Sequence, residues 1–215
     1  FHVKQSFVAH WQRYHLALKQ RNAALRSAQP AGAVAAWDAD LLRYGELVSV
    51  ARAEYVEQLA QHAEHLSRRL LGMELALSYR PGWARELSFA EALQQSRAHD
   101  QQVGVTQVGP HRAELNIKLD GASVKDRISR GQQKLLAAAL LLGQLKLFPD
   151  SAPIQPTLLL DDPAAELDSE RLAGLIGEVA THSVQLIVTT LHGEFSAFGS
   201  PGRRFKMASG NLEAV

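Results

Sequence analysis

The order of predicted elements in the second half of the chain narrows the fold to one class. An apolar, Ala- and Leu-rich stretch, 128–148, predicts a helix that is buried on most sides. It is followed by strand 157–161, helix 169–181, strand 184–189 and a short hairpin at 203–215. Because helices alternating with strands form an α/β layer, we expect a mostly parallel sheet here.

The first half of the chain predicts two long helices instead of a sheet. Apolar residues recur at helical spacing through 4–27, and the Pro- and Gly-containing segment 27–33 interrupts this pattern. A second helix is predicted over 35–71, with Gly72 as its stop and a strand and turn at 73–83. Two helices joined by a short turn indicate an antiparallel arm.

The segment between the arm and the α/β layer predicts one further helix and a hairpin. Ser88 followed by Glu91 is a capping-box pattern at the start of a helix over 87–104. Residues 105–121 predict a strand, a turn and a second strand, and Asp120-Gly121 is a typical hairpin turn.

Composition limits the class of protein. The chain has 215 residues and 46% apolar residues, which is enough for a sizeable core, and no run of 18 apolar residues predicts a membrane span. It contains no cysteine, as expected in a reducing compartment. It opens with FHVKQSF, which has neither a Met nor a signal-peptide core, so we expect a piece of a longer cytoplasmic protein.

The net charge of +1 hides a local excess of positive charge. Residues 1–28 contain no Asp or Glu, and such an excess indicates a surface for nucleic acid or for an acidic partner. A solvated helix face is the alternative that this feature supports equally well. The candidate DNA-binding residues are Lys4, Arg13, Lys19, Arg21 and Arg26.

Two adjacent aspartates, Asp161 and Asp162, end the apolar strand at 157–161. Ligands bind at the carboxyl ends of strands in open α/β sheets. One carboxylate there can hold Mg²⁺, and its neighbour can orient or deprotonate an attacking water. A purely structural role for both side chains is the alternative. Asp168 precedes the next helix and is also a natural N-cap.

The stretch ISRGQQK, 128–134, opens the buried helix with residues suited to a phosphate. The free N–H groups and the dipole of a helix start attract anions. Ser129 adds a hydroxyl donor, Gly131 permits close approach, and Arg130 and Lys134 add positive charge. An ordinary N-cap role for Ser129 is the alternative.

Taken together, the two elements follow the order found in ABC-type ATPases, and the chain resembles the RecF family of bacterial DNA-repair ATPases, which are related to the SMC proteins. The combination of Gly-Pro-His-Arg with Ser-Arg-Gly-Gln-Gln-Lys is the most specific part of this resemblance. The matching stretches are FHVKQSFVAHWQRYHLALKQRN (1–22), LALSYRPGW (75–83), VGPHRAEL (108–115), SRGQQKLLAAAL (129–140) and LLLDDPAAELD (158–168).

The resemblance implies a partial ABC-type ATPase head with an inserted antiparallel helical arm. The arm domain would span 1–100, and the carboxyl-terminal half of the head would span 101–215. The implied cofactors are ATP and Mg²⁺. The implied roles are metal ligand for Asp161, water-orienting acid for Asp162, D-loop residue for Asp168, and signature motif for Ser129, Arg130, Gly131 and Gln132.

The resemblance also implies partners and a biological role. Members of the family form an ATP-dependent, head-to-tail homodimer that binds gapped or double-stranded DNA. They help to load the recombinase on single-stranded DNA in recombinational repair and the SOS response, with partner proteins of the same pathway.

Three features depart from the pattern or lack an explanation. Many ABC ATPases have Glu at the position of Asp162. The switch histidine usually follows its strand closely, whereas His192 stands after Thr189, Thr190 and Leu191, so it is only a candidate. His111 and Arg112 lie in a predicted turn, and the sequence gives no mechanism for them.

No phosphate-binding G-x-x-x-x-G-K-[ST] motif occurs in the chain. We therefore expect the 215-residue chain alone to bind ATP weakly and not to hydrolyse it. Two other interpretations stay open: a non-enzymatic arm that binds DNA or protein, and the head of another SMC-like ATPase. Arm length argues against the second, because SMC proteins carry much longer coiled coils.

Overall fold

A computed structural model describes residues 5–126, 128–148, 156–165, 167–182, 184–191, 202–208 and 210–214. The helices in these ranges are α1 (Gln5–Arg26), α2 (Ala31–Ala35), α3 (Asp38–Leu71), α4 (Phe89–Val103), α5 (Arg130–Lys146) and α6 (Ser169–Val179). The strands are β1 (Leu75–Arg80), β2 (Glu114–Leu119), β3 (Ala122–Ser123), β4 (Thr157–Asp161), β5 (Gln185–Thr189), β6 (Phe205–Ala208) and β7 (Asn211–Ala214). Short 3₁₀ turns occupy Pro110–Arg112, Val124–Asp126 and Pro163–Ala165.

The described strands form three small sheets. The parallel arrangement predicted for the α/β layer is present in β4 and β5, whereas β1-β2-β3 and β6-β7 are antiparallel. Asp120 and Gly121 connect β2 to β3 with φ angles of 46° and 78°, which is the geometry of a type I′ hairpin. The predicted turn is thereby confirmed.

The start of the second long helix and the first strand predicted within 105–121 differ from the structure. The long helix α3 begins at Asp38, because 31–35 forms the separate short helix α2. Residues 105–108 are not a strand. Side chains satisfy the backbone there: Thr106 N–H donates to Asn22 Oδ1 at 2.8 Å, and Gln107 N–H donates to Asp100 Oδ1 at 2.9 Å. These bonds replace the ladder that a strand would need.

The long helix α3 contributes to separate hydrophobic clusters along its length. Its amino-terminal part packs against α1 and α4 in a cluster that contains Tyr14, Leu41, Val48, Phe89 and Leu93. Its carboxyl-terminal part packs against α5 and α6 in a second cluster, which includes Leu66, Leu70, Leu135, Leu142 and Leu175. A division of the chain into domains at residue 100 stays a prediction.

The crossing of α3 and α5 is close because α5 has a glycine there. A Cβ on Gly143 would lie 3.1 Å from Leu59 Cδ1 and 3.3 Å from Ala63 N. The two helices therefore meet almost backbone to backbone, and α5 carries the Ser129 turn at its start. None of the helices in the described ranges is long and apolar enough to cross a membrane.

Candidate active site

Side-chain alternation along β4 places Asp161 on an exposed face. Leu158 and Leu160 pack against the cluster of α5 and α6, so Leu159 and Asp161 point to the opposite side. Leu159 is 69% exposed, and Ile187 beside it on β5 is 47% exposed. The carboxylate at the strand end is therefore accessible to a ligand.

Thr189 connects the two aspartates. In the parallel pair it lies opposite Asp161, and its hydroxyl donates to Asp161 Oδ1 at 2.5 Å. The backbone N–H of Asp162 donates to both the carbonyl oxygen and Oγ1 of Thr189, each at 3.1 Å. Within the described part of the chain, no residue donates to Oδ2 of Asp161, so there this oxygen is available to a cation.

Asp162 adopts a left-handed backbone conformation with φ of 40°. Aspartate tolerates this region better than most residues do. The conformation turns the chain out of β4 and into the 3₁₀ turn Pro163–Ala165, in which Ala165 N–H donates to Asp162 O at 3.2 Å. Because Pro163 is buried, this turn anchors the end of the strand.

The donor set of the two carboxylates fits part of a magnesium–nucleotide site. Within the described ranges, no group of three or more His, Cys, Asp or Glu side chains could hold a metal ion. Mg²⁺ usually takes one or two carboxylates and completes its shell with waters and phosphate oxygens. Asp161 and Asp162 can supply these one or two carboxylates, but two side chains are too few for a metal centre built from protein ligands alone.

Ser129 caps α5 in a reciprocal capping box. Its Oγ accepts from Gln132 N–H at 3.2 Å, and Gln132 Oε1 accepts from Ser129 N–H at 2.9 Å. The N-cap role left open by the sequence is thus present. The N–H groups of Arg130 and Gly131 have no hydrogen-bond partner among the described residues and stand at the positive end of the helix dipole.

Asp168 also has a capping role. Its Oδ1 accepts from Arg171 N–H at 2.8 Å, and its Oδ2 lies 3.6 Å from Arg171 Nε. Leu167, one residue earlier, is buried in the cluster that α6 shares with α5. This arrangement fixes the turn between β4 and α6. A role for Asp168 at a subunit interface stays a prediction.

The structure brings together some of the predicted site residues and not others. Asp161 and Asp162 share Thr189, whereas no hydrogen bond in the described part of the chain joins them to the 129–132 turn. His192 lies outside the described residues. The sequence presents Thr189 only as the end of a strand, because its role depends on the register between β4 and β5, which the sequence does not show.

The predicted basic surface needs one correction. Arg13, Lys19 and Arg26 are exposed on α1, but Arg21 is only 1% exposed. The assignment of Arg21 to DNA binding is wrong, because its guanidinium group is enclosed by protein groups. Lys4 lies outside the described residues.

Arg21 instead joins three helices. Its Nε donates to Asp38 Oδ1 at 2.9 Å, and its Nη1 donates to Asp100 Oδ2 at 2.7 Å and to Thr106 Oγ1 at 2.8 Å. Arg97 adds a second cation on Asp38 at 3.0 Å. A buried charge requires such partners, and these lie far from Arg21 in the sequence.

His111 anchors its turn to α1. Its Nε2 is 3.0 Å from the carbonyl oxygen of Thr106, so Nε2 carries the proton. Its Nδ1 then accepts from the Tyr14 hydroxyl at 2.6 Å. Burial lowers the pKa of His111 and outweighs the hydrogen bond with Thr106, which raises it. The lowered pKa favours this neutral form.

The rest of the turn packs against α1 and α3. Arg52 Nη1 donates to Pro110 O at 2.7 Å, and a Cβ on Gly109 would lie 2.7 Å from the Tyr14 hydroxyl. Gly109 also has φ of 131°, which favours glycine. The Gly-Pro-His-Arg segment therefore has a structural explanation, except for the side chain of Arg112, which is exposed and donates from Nη2 to Gln107 Oε1 at a long 3.4 Å.

Comparison with known proteins gives a consistent set of relatives. No family model matches the chain. Three curated proteins named DNA replication and repair protein RecF are similar to it: that of Thioalkalivibrio sulfidiphilus is 38% identical over 195 residues, that of Stenotrophomonas maltophilia 39% over 193, and that of Vibrio atlanticus 36% over 216. These matches cover 90%, 88% and 99% of the chain.

The chain spans only about half to three fifths of these relatives, at 54%, 53% and 60% of their lengths. Two solved structures of the recombination mediator protein RecF, described as RecF-ATP and RecF-ATPrS, match 99% of the chain with TM-scores of 0.82 and 0.81. The chain covers 59% and 60% of those proteins at 22% identity, which shows a shared fold.

Proposed function

The chain belongs to the RecF family, and on that premise we propose that it supplies the signature, metal-binding and D-loop segments of a DNA-repair ATPase. The observation that carries this proposal is the pair of carboxylates at the exposed end of β4. Asp161 and Asp162 are both held by Thr189 at the carboxyl ends of two parallel strands, where ligands bind in α/β sheets.

In this proposal Asp161 and Asp162, at the end of β4, have different roles. Asp161 would hold Mg²⁺, directly or through water, and Asp162 would orient or deprotonate the attacking water. When bound, Mg²⁺ neutralises charge on the phosphate oxygens. Asp168 positions the start of α6 beside this pair through its cap.

The grip on the β- and γ-phosphates would come from residues outside this chain, since its sequence contains no phosphate loop. The exposed face of β4 and β5 supports this proposal. Parallel strands are normally covered on both faces, yet Leu159 and Ile187 are largely exposed. The 215-residue chain alone would then bind ATP weakly and would not hydrolyse it.

The Ser129 turn would act on the nucleotide of a second subunit. Its open N–H groups at Arg130 and Gly131 and the exposed Arg130 guanidinium suit a phosphate. An ATP-dependent, head-to-tail homodimer would bring this turn to the phosphates of the partner. The structures of RecF described with ATP support nucleotide binding in relatives of this chain.

DNA would bind to the arm. The exposed cations Arg13, Lys19 and Arg26 lie on α1, a helix that has no acidic residue. The relatives are named as DNA replication and repair proteins, and the solved structures as mediators in the RecFOR pathway. We extend this to binding of gapped duplex and to loading of the recombinase with partner proteins of that pathway.

The test is Asp161→Asn in the protein that carries this chain. Loss of a metal ligand should lower Mg²⁺-dependent ATP hydrolysis at least about 100-fold, because a metal supplies several kcal/mol to such a reaction. Asp40→Asn, an exposed aspartate in the first turn of α3, is the matched control and should hydrolyse ATP at the wild-type rate. Wild-type hydrolysis by Asp161→Asn would refute the assignment.

A further inference from the structure

We propose that Thr189 is a positioning residue for both carboxylates: its hydroxyl holds Oδ1 of Asp161, so that Oδ2 alone faces the metal, and it fixes the backbone of Asp162. This inference rests on the proposed function and deepens it. It concerns a residue of β5 to which the family resemblance assigned no role.

The first part of the argument concerns Asp161. The 2.5 Å separation between Thr189 Oγ1 and Asp161 Oδ1 is the length of a charge-assisted O–H···O⁻ bond. A hydroxyl has one proton to donate, and Thr189 Oγ1 donates it to Oδ1 of Asp161. Bidentate metal binding would require Oδ1 as well, so Thr189 favours a monodentate Asp161.

The second part concerns Asp162. The same Thr189 oxygen accepts from the Asp162 N–H at 3.1 Å, and the Thr189 carbonyl shares this N–H at the same distance. These bonds support the sparsely populated conformation of Asp162, with φ of 40°. One hydroxyl thus accepts from one aspartate and donates to the other.

Threonine is better suited to this role than its closest substitutes. Its branched Cβ restricts χ1, so the direction of the hydroxyl is fixed by the strand. Serine keeps the hydroxyl but rotates more freely, and valine keeps the shape but loses the hydroxyl. The expected order of function is threonine, then serine, then valine.

The role is separable from stability of the fold. Thr189 is exposed on the outer face of β5 and is absent from the hydrophobic clusters of the described core. The same face offers a matched control at its other end, because Thr157 Oγ1 bonds to Gln185 Oε1 at 3.1 Å. Thr157→Val removes a hydroxyl from the same sheet face without touching the carboxylates.

The experiment compares Thr189→Val, Thr189→Ser and Thr157→Val in the protein that carries this chain. Without nucleotide, Thr189→Val should speed amide hydrogen exchange of Asp162 about 3- to 10-fold, the effect of losing one modest hydrogen bond. With ATP, it should raise the Mg²⁺ concentration for half-maximal hydrolysis about 10-fold and lower kcat. In both measurements Thr189→Ser should stay within about 3-fold of the wild-type protein. The control, Thr157→Val, should give the wild-type exchange rate and the wild-type Mg²⁺ dependence.

Each other result has a defined meaning. Wild-type exchange and wild-type Mg²⁺ dependence in Thr189→Val would overturn the inference while leaving the proposed function intact. A melting temperature lower than that of Thr157→Val, with no rescue by Thr189→Ser, would also overturn it, since the residue would then be structural. If the wild-type protein showed no Mg²⁺-dependent hydrolysis, the proposed function would fail, and the exchange data would still show whether Thr189 holds Asp162.

Discussion

Replacing Arg21 with methionine is expected to destabilise the arm strongly. The change leaves Asp100, which is fully buried, without the one cation that pairs with it in the described structure. Asp38 keeps Arg97 at 3.0 Å and suffers less. Breaking a buried ion pair from one side costs about 3–5 kcal/mol, because the remaining charge stays desolvated.

Urea unfolding followed by circular dichroism measures this loss. With a slope of roughly 2 kcal/mol per molar urea, the midpoint should fall by roughly 2 M. Arg13→Met, an exposed cation on the same helix, is the control and should lie within about 0.5 kcal/mol of wild type. Adding Asp100→Asn to Arg21→Met removes the unpaired negative charge of the buried Asp100 carboxylate and should restore part of the stability.

A loss below about 1 kcal/mol in Arg21→Met would refute this reasoning. It would mean that water reaches Asp100 and solvates its carboxylate, and that the pairs Arg21–Asp38 and Arg21–Asp100 contribute little. Arg21→Lys provides a graded comparison. A lysine ammonium group lacks the planar fork that reaches both carboxylates, so this variant should fall between wild type and Arg21→Met.

Two further predictions concern the surface of α1 and the His111 turn. Replacing Arg13, Lys19 and Arg26 together with glutamine should weaken DNA binding and reduce the slope of log K against log salt by about 0.9 for each phosphate that is no longer neutralised; an unchanged slope would place the DNA elsewhere. Because burial lowers the pKa of folded His111, its contribution to stability is present above the unfolded pKa and is lost as pH falls through the folded value. His111→Asn should therefore flatten the acid side of a stability–pH profile, and a profile identical to wild type would contradict the role of His111.

The local signals in the sequence predicted the local structure well. The Ser88–Glu91 capping box, the N-caps at Ser129 and Asp168 and the Asp120-Gly121 hairpin all depend on residues within a few positions of each other. The hydrogen bonds that define them are short-range, so composition and spacing determine them.

The features that sequence reasoning missed depend on distant partners. Arg21 falls within a basic segment of the sequence, and its carboxylate partners, Asp38 and Asp100, lie outside that segment. The predicted strand at 105–108 is absent because side chains from α1 and α4 take its backbone hydrogen bonds. Thr189 becomes informative only when the register of β5 against β4 is known.

Helix α3 packs against α1 and α4 at its amino-terminal end and against α5 and α6 at its carboxyl-terminal end. The arm and the head therefore both depend on this one helix. The helix contains no proline, and its single glycine, Gly45, lies under Phe89 and Tyr14, so nothing in it favours a sharp kink. Its last turns bury Leu59, Leu66 and Leu70 against β1, α5 and α6. A piece ending at residue 100 keeps β1 but loses α5 and α6, so it would expose Leu66 and Leu70, each at a cost of about 1.5–3 kcal/mol. The carboxyl-terminal half of α3 therefore depends on the head for its stability, and the arm is joined to the Ser129 turn through the close crossing of α3 and α5.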